Sequence, residues 1–227
     1  MNGEQNMNMK KGFTLAEVLL TLAIIGVVAA LTIPAVITKV TKDQYVVGLK
    51  KAYNTLKAVE REARQEYGEM EDWDWGANVT AEFEKYFLPH FDVLKNCGAT
   101  TEEGCFAEEL TFLNGNTWSN LNDTLHYKIV TSDGMSWAYQ KSGNTTPLLV
   151  QGWLYVDVNG LKGPNRFGRD VFQFLVYPSN SGIKPEGSYD WDGITPTTTS
   201  TVDAECNTSS IGTYCTAKVL AEGAMNY

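Results

Sequence analysis

One carboxylate stands where the chain can least accommodate it. From Phe13 to Ile37 run 25 residues with a single charged side chain, Glu17. A helix rises about 1.5 Å per residue, so this run can cross a hydrocarbon core of about 30 Å. An acid inside such a helix costs roughly 2.5–3.5 kcal/mol on insertion scales and needs a counter-charge. The run itself supplies none, so the partner is expected on another copy of the chain. The plain alternative is a single-pass anchor with an incidental glutamate.

A second candidate is Asp157-Val158-Asn159-Gly160. Alternate oxygen side chains followed by a glycine open like a calcium loop, and Asp170 could close an irregular cage with a backbone carbonyl. Against Ca2+, Gly168 stands where an EF-hand has its bidentate acid, and Lys162, Arg166 and Arg169 oppose a cation. The other reading is a turn in which Asp157 and Asp170 bond backbone amides or pair with those arginines.

The four cysteines form two close pairs, Cys97 with Cys105 and Cys206 with Cys215. Four cysteines allow three connectivities, and proximity favours 97–105 with 206–215. Neither spacing is that of a metal motif, and His90 and His126 are isolated. Disulfides belong to oxidising compartments, which places the head outside the cytoplasm. With no Gly-x-Ser-x-Gly and no metal spacing, no catalytic set is expected and no cofactor beyond the candidate calcium.

The elements that position these residues follow from periodicity. Gly26 and Pro34 are expected to interrupt the first helix, with a bend where proline removes one backbone N–H. Beyond it, Tyr45, Leu49, Ala52, Tyr53, Leu56, Val59, Ala63 and Tyr67 recur at three- and four-residue steps, an apolar stripe on a charged helix that ends near Gly68. Trp73 and Trp75 lie in a loop, as caps on the core or as a ligand platform. Thr80 is the expected N-cap of a short helix to Leu88, stopped by Pro89, and His90 is read as structural, with no nearby nucleophile or carboxylate that would suggest a catalytic set. Strands are expected at His126–Thr131, Met135–Gln140, Leu148–Val158 and Val171–Tyr177, with Asp133-Gly134 as a hairpin turn. Residues 178–200 read as irregular, and Thr216–Glu222 as a short helix. The sum is an α+β fold: a long N-terminal helix on an antiparallel sheet of about four strands.

Charge divides along the chain. Residues 39–66 hold seven Lys/Arg against four acids; from Tyr67 onward nine Lys/Arg face 21 acids, within a net charge of −9. An acidic head does not grip phosphate backbones, so nucleic acid is not an expected partner. Lys10 and Lys11 precede the span while Lys39 and Lys42 follow it, so positive charge scarcely orients it.

Lys10-Lys11-Gly12-Phe13-Thr14-Leu15-Ala16-Glu17 resembles the prepilin-type cleavage and methylation motif of type IV pilins and the pseudopilins of type II secretion. The resemblance covers the leader and the first 25 to 30 residues after it. It implies cleavage between Gly12 and Phe13 and N-methylation of Phe13 by a prepilin peptidase/N-methyltransferase. It also implies pairing of Glu17 with a neighbour's N-terminal amine, and a curved stalk at Pro34. The implied division is a leader, 1–12; a membrane and assembly half-helix, 13–37; an amphipathic half, 38–67; and a head, 68–227. The implied partners are other copies or other pilins and an inner-membrane assembly platform. The implied place is the bacterial inner membrane, one pass with the head outside, and then a periplasmic or cell-surface filament. The competing class is a membrane-tethered tip subunit acting as an extracellular binding module, on the strength of its tryptophans and acidic loops.

Overall fold

The expected apolar stripe lies against a sheet. In the computed structural model, which describes residues 12–119, 121–144, 149–179, 182–189 and 195–227, helix α1 runs unbroken over Leu15–Tyr67. The chain divides into two units, Met1–Thr41 and Lys42–Tyr227. Gly26 and Pro34 do not interrupt the helix; it continues through both. A single proline removes one i to i−4 bond, and the remaining ladder carries the helix past it.

In the second unit α1 turns Tyr45, Leu49, Ala52, Leu56, Val59 and Ala63 into the core, each buried. Full burial of a leucine such as Leu49 or Leu56 contributes about 1.5–3 kcal/mol. The approach is close: a Cβ on Gly48 would sit 2.9 Å from Val158 Cβ, so a side chain there would push helix and sheet apart. The helix stops after Tyr67, where Gly68 takes φ +80° and donates to the Arg64 carbonyl.

The strands are β1 (Val93–Gly98), β2 (Leu110–Thr111), β3 (Thr117–Trp118), β4 (His126–Thr131), β5 (Ser136–Lys141), β6 (Gly152–Asp157), β7 (Val171–Tyr177) and β8 (Gly182–Pro185). Six form one antiparallel sheet in the order β1-β4-β5-β6-β7-β8; β2 and β3 pair separately. The four expected strands are the four central ones. The two additional strands are the edges. β1 slips register twice against β4, and β8 is four residues ending in proline, inside the stretch expected to be irregular. Edge strands pair on one side only, so they need less of the alternating pattern that marks a strand in sequence. Leu148, the expected start of the third strand, lies outside the described residues.

Both sheet faces are covered. Tyr127, Ile129, Trp137, Tyr139, Leu154, Val156, Phe172 and Phe174 share a core with the inner face of α1. Ala138, Tyr155 and Val171 pack on the opposite face with Phe106, Leu110, Leu121 and Phe167, drawn from loops and the β2–β3 hairpin. That is why every position of β7 is buried. The short helix α2 spans Val79–Tyr86, and its cap is Asn78, whose Oδ1 accepts from the Ala81 amide at 2.9 Å, rather than Thr80. α3 (Thr199–Glu205) and α4 (Cys215–Glu222) complete the head.

Candidate functional site

The residues around Gly12 are organised by the helix start. Thr14 precedes α1, and Glu17 lies three residues on, the spacing of a capping box. The Thr14 amide and hydroxyl both donate to Glu17 Oε2 at 2.8 Å, and the Glu17 amide donates back to Thr14 Oγ1 at 3.2 Å. The acid is therefore not partnerless within its own chain, as its isolation in the sequence implied. One oxygen is engaged twice; Oε1 accepts nothing among the described residues. Ser/Thr-x-x-Glu ahead of an apolar run is legible in sequence, and Thr14-Leu15-Ala16-Glu17 carries it.

Gly12 and Phe13 make no packing contacts among the described residues. A Cβ at Gly12 would meet no atom within 4 Å, and Phe13 is 88% exposed. Lys10, Lys11 and the rest of the leader up to residue 11 lie outside the described residues.

The apolar segment is long enough to cross a membrane. Its threonine hydroxyls are satisfied by the helix itself: Thr21 donates to the Val18 carbonyl, Thr32 to Val28 and Thr38 to Pro34, each at 2.9 Å. In hydrocarbon an unsatisfied hydroxyl would cost several kcal/mol, and none is left in this way. Around them Leu15, Leu19, Leu20, Leu22, Ile24, Ile25 and Leu31 are all more than half exposed.

The β6–β7 loop brings Asp157 and Asp170 together, both fully buried. Asp170 accepts from the Asn165 and Arg166 amides at 2.9 and 2.8 Å. Asp157 Oδ1 accepts from the Asn159 amide at 3.1 Å. Asn165, with its amide nitrogen turned inward, reaches Asp157 Oδ2 at 3.3 Å and the Lys162 carbonyl at 3.0 Å. The Arg166 guanidinium turns away to Thr111 Oγ1. Burial, and then the charge of Asp170, pushes the Asp157 carboxyl up to about 9; burial also raises Asp170 against its amide donors.

A calcium ion needs six to eight oxygens turned toward it. Here the carboxylate oxygens face N–H donors, and Asn159 Oδ1 is a buried acceptor without a donor. No group of three or more His, Cys, Asp or Glu among the described residues could hold a metal. Asp157 and Asp170 here take backbone amides as their partners. The turn reading describes them, with amides rather than arginines as the partners.

The remaining candidates are structural in their contacts. Cys97 is bonded to Cys105 and Cys206 to Cys215. Trp73 and Trp75 are buried and donate their indole N–H groups to the Gly68 and Met70 carbonyls; Trp73 stacks on Tyr86 with ring centroids 4.4 Å apart. They cap the core and are not an exposed platform. His90 does have carboxylates nearby: Nδ1 lies 3.8 Å from Glu62 and Nε2 3.8 Å from Glu66, both on α1. His126 Nδ1 sits 2.7 Å from Asp123.

One residue had no signal in the sequence. Lys128 is fully buried in β4, and its ammonium donates to the carbonyls of Thr100, Asp123 and His126 at 2.6, 2.9 and 3.0 Å. It ties the loop after β1 to the loop before β4, a position that a cation would otherwise suit. Burial lowers its pKa, against the attraction of Asp123 and Glu102.

Compared with known families, residues 7–33 match the prokaryotic N-terminal methylation motif. No curated protein and no solved structure matches the chain.

Proposed function

We propose, from the methylation motif that type IV pilins and pseudopilins share, that this chain is a filament subunit released from the membrane by polymerisation. The observation that carries the reading is the motif's coincidence with an apolar helix, long enough to cross a membrane, whose apolar window is unburied among the described residues. Cleavage falls between Gly12 and Phe13, where the fold makes no demand of its own, and Phe13 is then N-methylated. The new α-ammonium pairs with Glu17 of a neighbouring copy, through the Oε1 that Thr14 leaves open. Charges about 4 Å apart attract strongly at low dielectric, and leaving either unpaired is costly, so the pair sets axial register as well as affinity. Pro34, which frees the Ala30 carbonyl, gives the helix local compliance for curved packing.

The partners that follow are other copies or other pilins, a prepilin peptidase/N-methyltransferase and an inner-membrane assembly platform. The head lies outside the cytoplasm, where its two disulfides are at home. The role is structural rather than catalytic. N-terminal mass analysis tests the first step: Gly12→Leu is expected to retain Lys10 and Lys11, and normal maturation of that variant removes the basis of the reading.

A further inference from the structure

Three of the nine Lys/Arg that follow Tyr67 lie in the single loop between β6 and β7: Lys162, Arg166 and Arg169. Lys162 is exposed and makes no hydrogen bond or ion pair among the described residues. Arg166 engages only its Nε, on Thr111 Oγ1 at 3.2 Å, and Arg169 Nε is buried without a hydrogen-bond partner. The acids of the same loop are turned the other way. Asp157 and Asp170 are fully buried and accept from the amides of Asn159, Asn165 and Arg166. The β4–β5 turn lies against this loop, since a Cβ on Gly160 would stand 2.6 Å from the Gly134 carbonyl, and it holds Asp133 on Lys51 at 2.9 Å. Two exposed acids remain at this end: Asp43 on α1, and Asp92, whose carbonyl accepts from the Ser132 amide. The loop is thus a cationic patch on an otherwise acidic head.

The patch sits at one defined end of the head. Val158 packs on α1 at Gly48. The Tyr227 hydroxyl donates to the Gly168 carbonyl, and the Tyr227 carbonyl accepts from Lys42 Nζ at 3.0 Å, which ties the loop to the first residue of this unit. Lys42 follows Ile37, the last residue of the apolar run, by five residues, or about 7.5 Å of helix. By covalent connection, this is the end of the head that the apolar run reaches first. Here Leu161, 51% exposed, stands beside Lys162 in the loop.

An exposed leucine next to cations suits a lipid interface, where apolar carbon enters the headgroup layer and the ammonium stays with phosphate. A neighbour's acidic head would satisfy the cations but not the leucine. We propose that the β6–β7 loop docks on anionic phospholipid headgroups at the bilayer surface from which α1 emerges, seating Leu161 among them with Lys162 and Arg166 on their phosphates. Docking of this kind requires that α1 cross a membrane, as proposed above, and is independent of polymerisation.

All four cysteines are bonded in pairs, so a new cysteine can be labelled alone. The test places a nitrobenzoxadiazole probe on Leu161→Cys and, for comparison, on Leu125→Cys. Leu125 is exposed and precedes β4, at the opposite end of that strand from the turn beside the loop. The full chain is reconstituted into vesicles of phosphatidylcholine alone or with about one-third phosphatidylglycerol, and quenching by a nitroxide carried at headgroup level is read. Flotation with the vesicles reports insertion of α1 separately. Quenching at Leu161 is expected to be about three-fold or more stronger in the anionic vesicles, to be screened away by about 0.5 M salt, and to be lost in Lys162→Glu, while the Leu125 probe stays unquenched. If Lys162→Glu does not fold, the lipid and salt comparisons on the parent chain decide alone. Equal quenching at Leu161 in both lipids, or none in chains that float, overturns the proposal. So does a Leu161 signal that follows protein density and not lipid charge, which would place the loop on a neighbouring head. Chains that fail to float overturn the membrane reading itself, and the docking with it.

Discussion

Glu60 on α1 accepts a hydrogen bond from the Ile183 amide of β8 at 3.2 Å, and so the long helix closes the open edge of the sheet. Lys57 and Arg64, at 2.7 and 3.1 Å, hold the carboxylate in place. Gly182 beside it has φ +68°, and a Cβ there would collide with the Glu60 carboxylate, so glycine is required for two reasons at once. Glu60→Ala leaves a buried amide without an acceptor and is expected to cost about 1–3 kcal/mol in denaturant unfolding. A loss within about 0.5 kcal/mol, the range of an ordinary surface change, would show that the tie contributes nothing.

Trp73 tests the reading of the aromatic loop. Trp73→Ala removes a buried ring stacked on Tyr86 and is expected to cost about 3–5 kcal/mol. Trp73→Phe keeps a ring but loses the donor to the Gly68 carbonyl, and about 1 kcal/mol is expected. Stability unchanged in Trp73→Ala, measured by urea unfolding, would return the tryptophan to the role of a surface platform.

The central architecture was legible because it is periodic. The stripe from Tyr45 to Ala63 and the strands around Asp133-Gly134 show the 3.6- and two-residue repeats of half-buried elements. What escaped lacks a period. β1 slips register twice, β8 is four residues long, and the second sheet face is covered by loop residues such as Phe106 and Leu121. The candidate site divides in the same way. Thr14 and Glu17 act over one helical turn, so their spacing encodes their contact. Lys128 finds the Thr100 carbonyl across 28 residues of sequence, and no local pattern marks it. The Asp-x-Asn-Gly pattern is ambiguous in sequence because a sharp turn and a calcium loop ask for the same residues, and the direction of the N–H groups is what separates them.

The buried acids make stability depend on pH in a defined direction. Asp157 ionises near 3.8 when unfolded and is pushed up to about 9 in the fold, by burial first and by Asp170 second. Between those values the folded chain keeps a proton that the unfolded chain releases. Its contribution is therefore whole below about pH 4 and is lost as pH rises toward 9. Asp157→Asn keeps an acceptor for the Asn159 amide and removes the titration. It is expected to raise the melting temperature at pH 8 by on the order of 4 °C, with little change at pH 4. Neither calcium nor a chelator is expected to move the parent's melting temperature; a clear rise with millimolar calcium would mean that the loop rearranges into a cage.

The capping box allows the two roles of Glu17 to be separated. Thr14→Ala removes the hydroxyl that donates to Oε2 and accepts from the Glu17 amide, keeps the backbone amide donor, and frays the helix start by about 1 kcal/mol, but leaves a carboxylate for a neighbour. Glu17→Ala removes the acid altogether and leaves the neighbour's ammonium unpaired in an apolar setting, a penalty of about 3–5 kcal/mol. If Glu17 acts between subunits, recovery in the sheared-filament fraction is expected to fall by on the order of a hundred-fold in Glu17→Ala and by no more than about five-fold in Thr14→Ala. Membrane levels of the two processed chains should be equal. If Glu17 serves only to start its own helix, each substitution breaks two of the three hydrogen bonds between these residues, and the two should fail alike. Equal filament yields from the two variants would confine the acid to its own first turn.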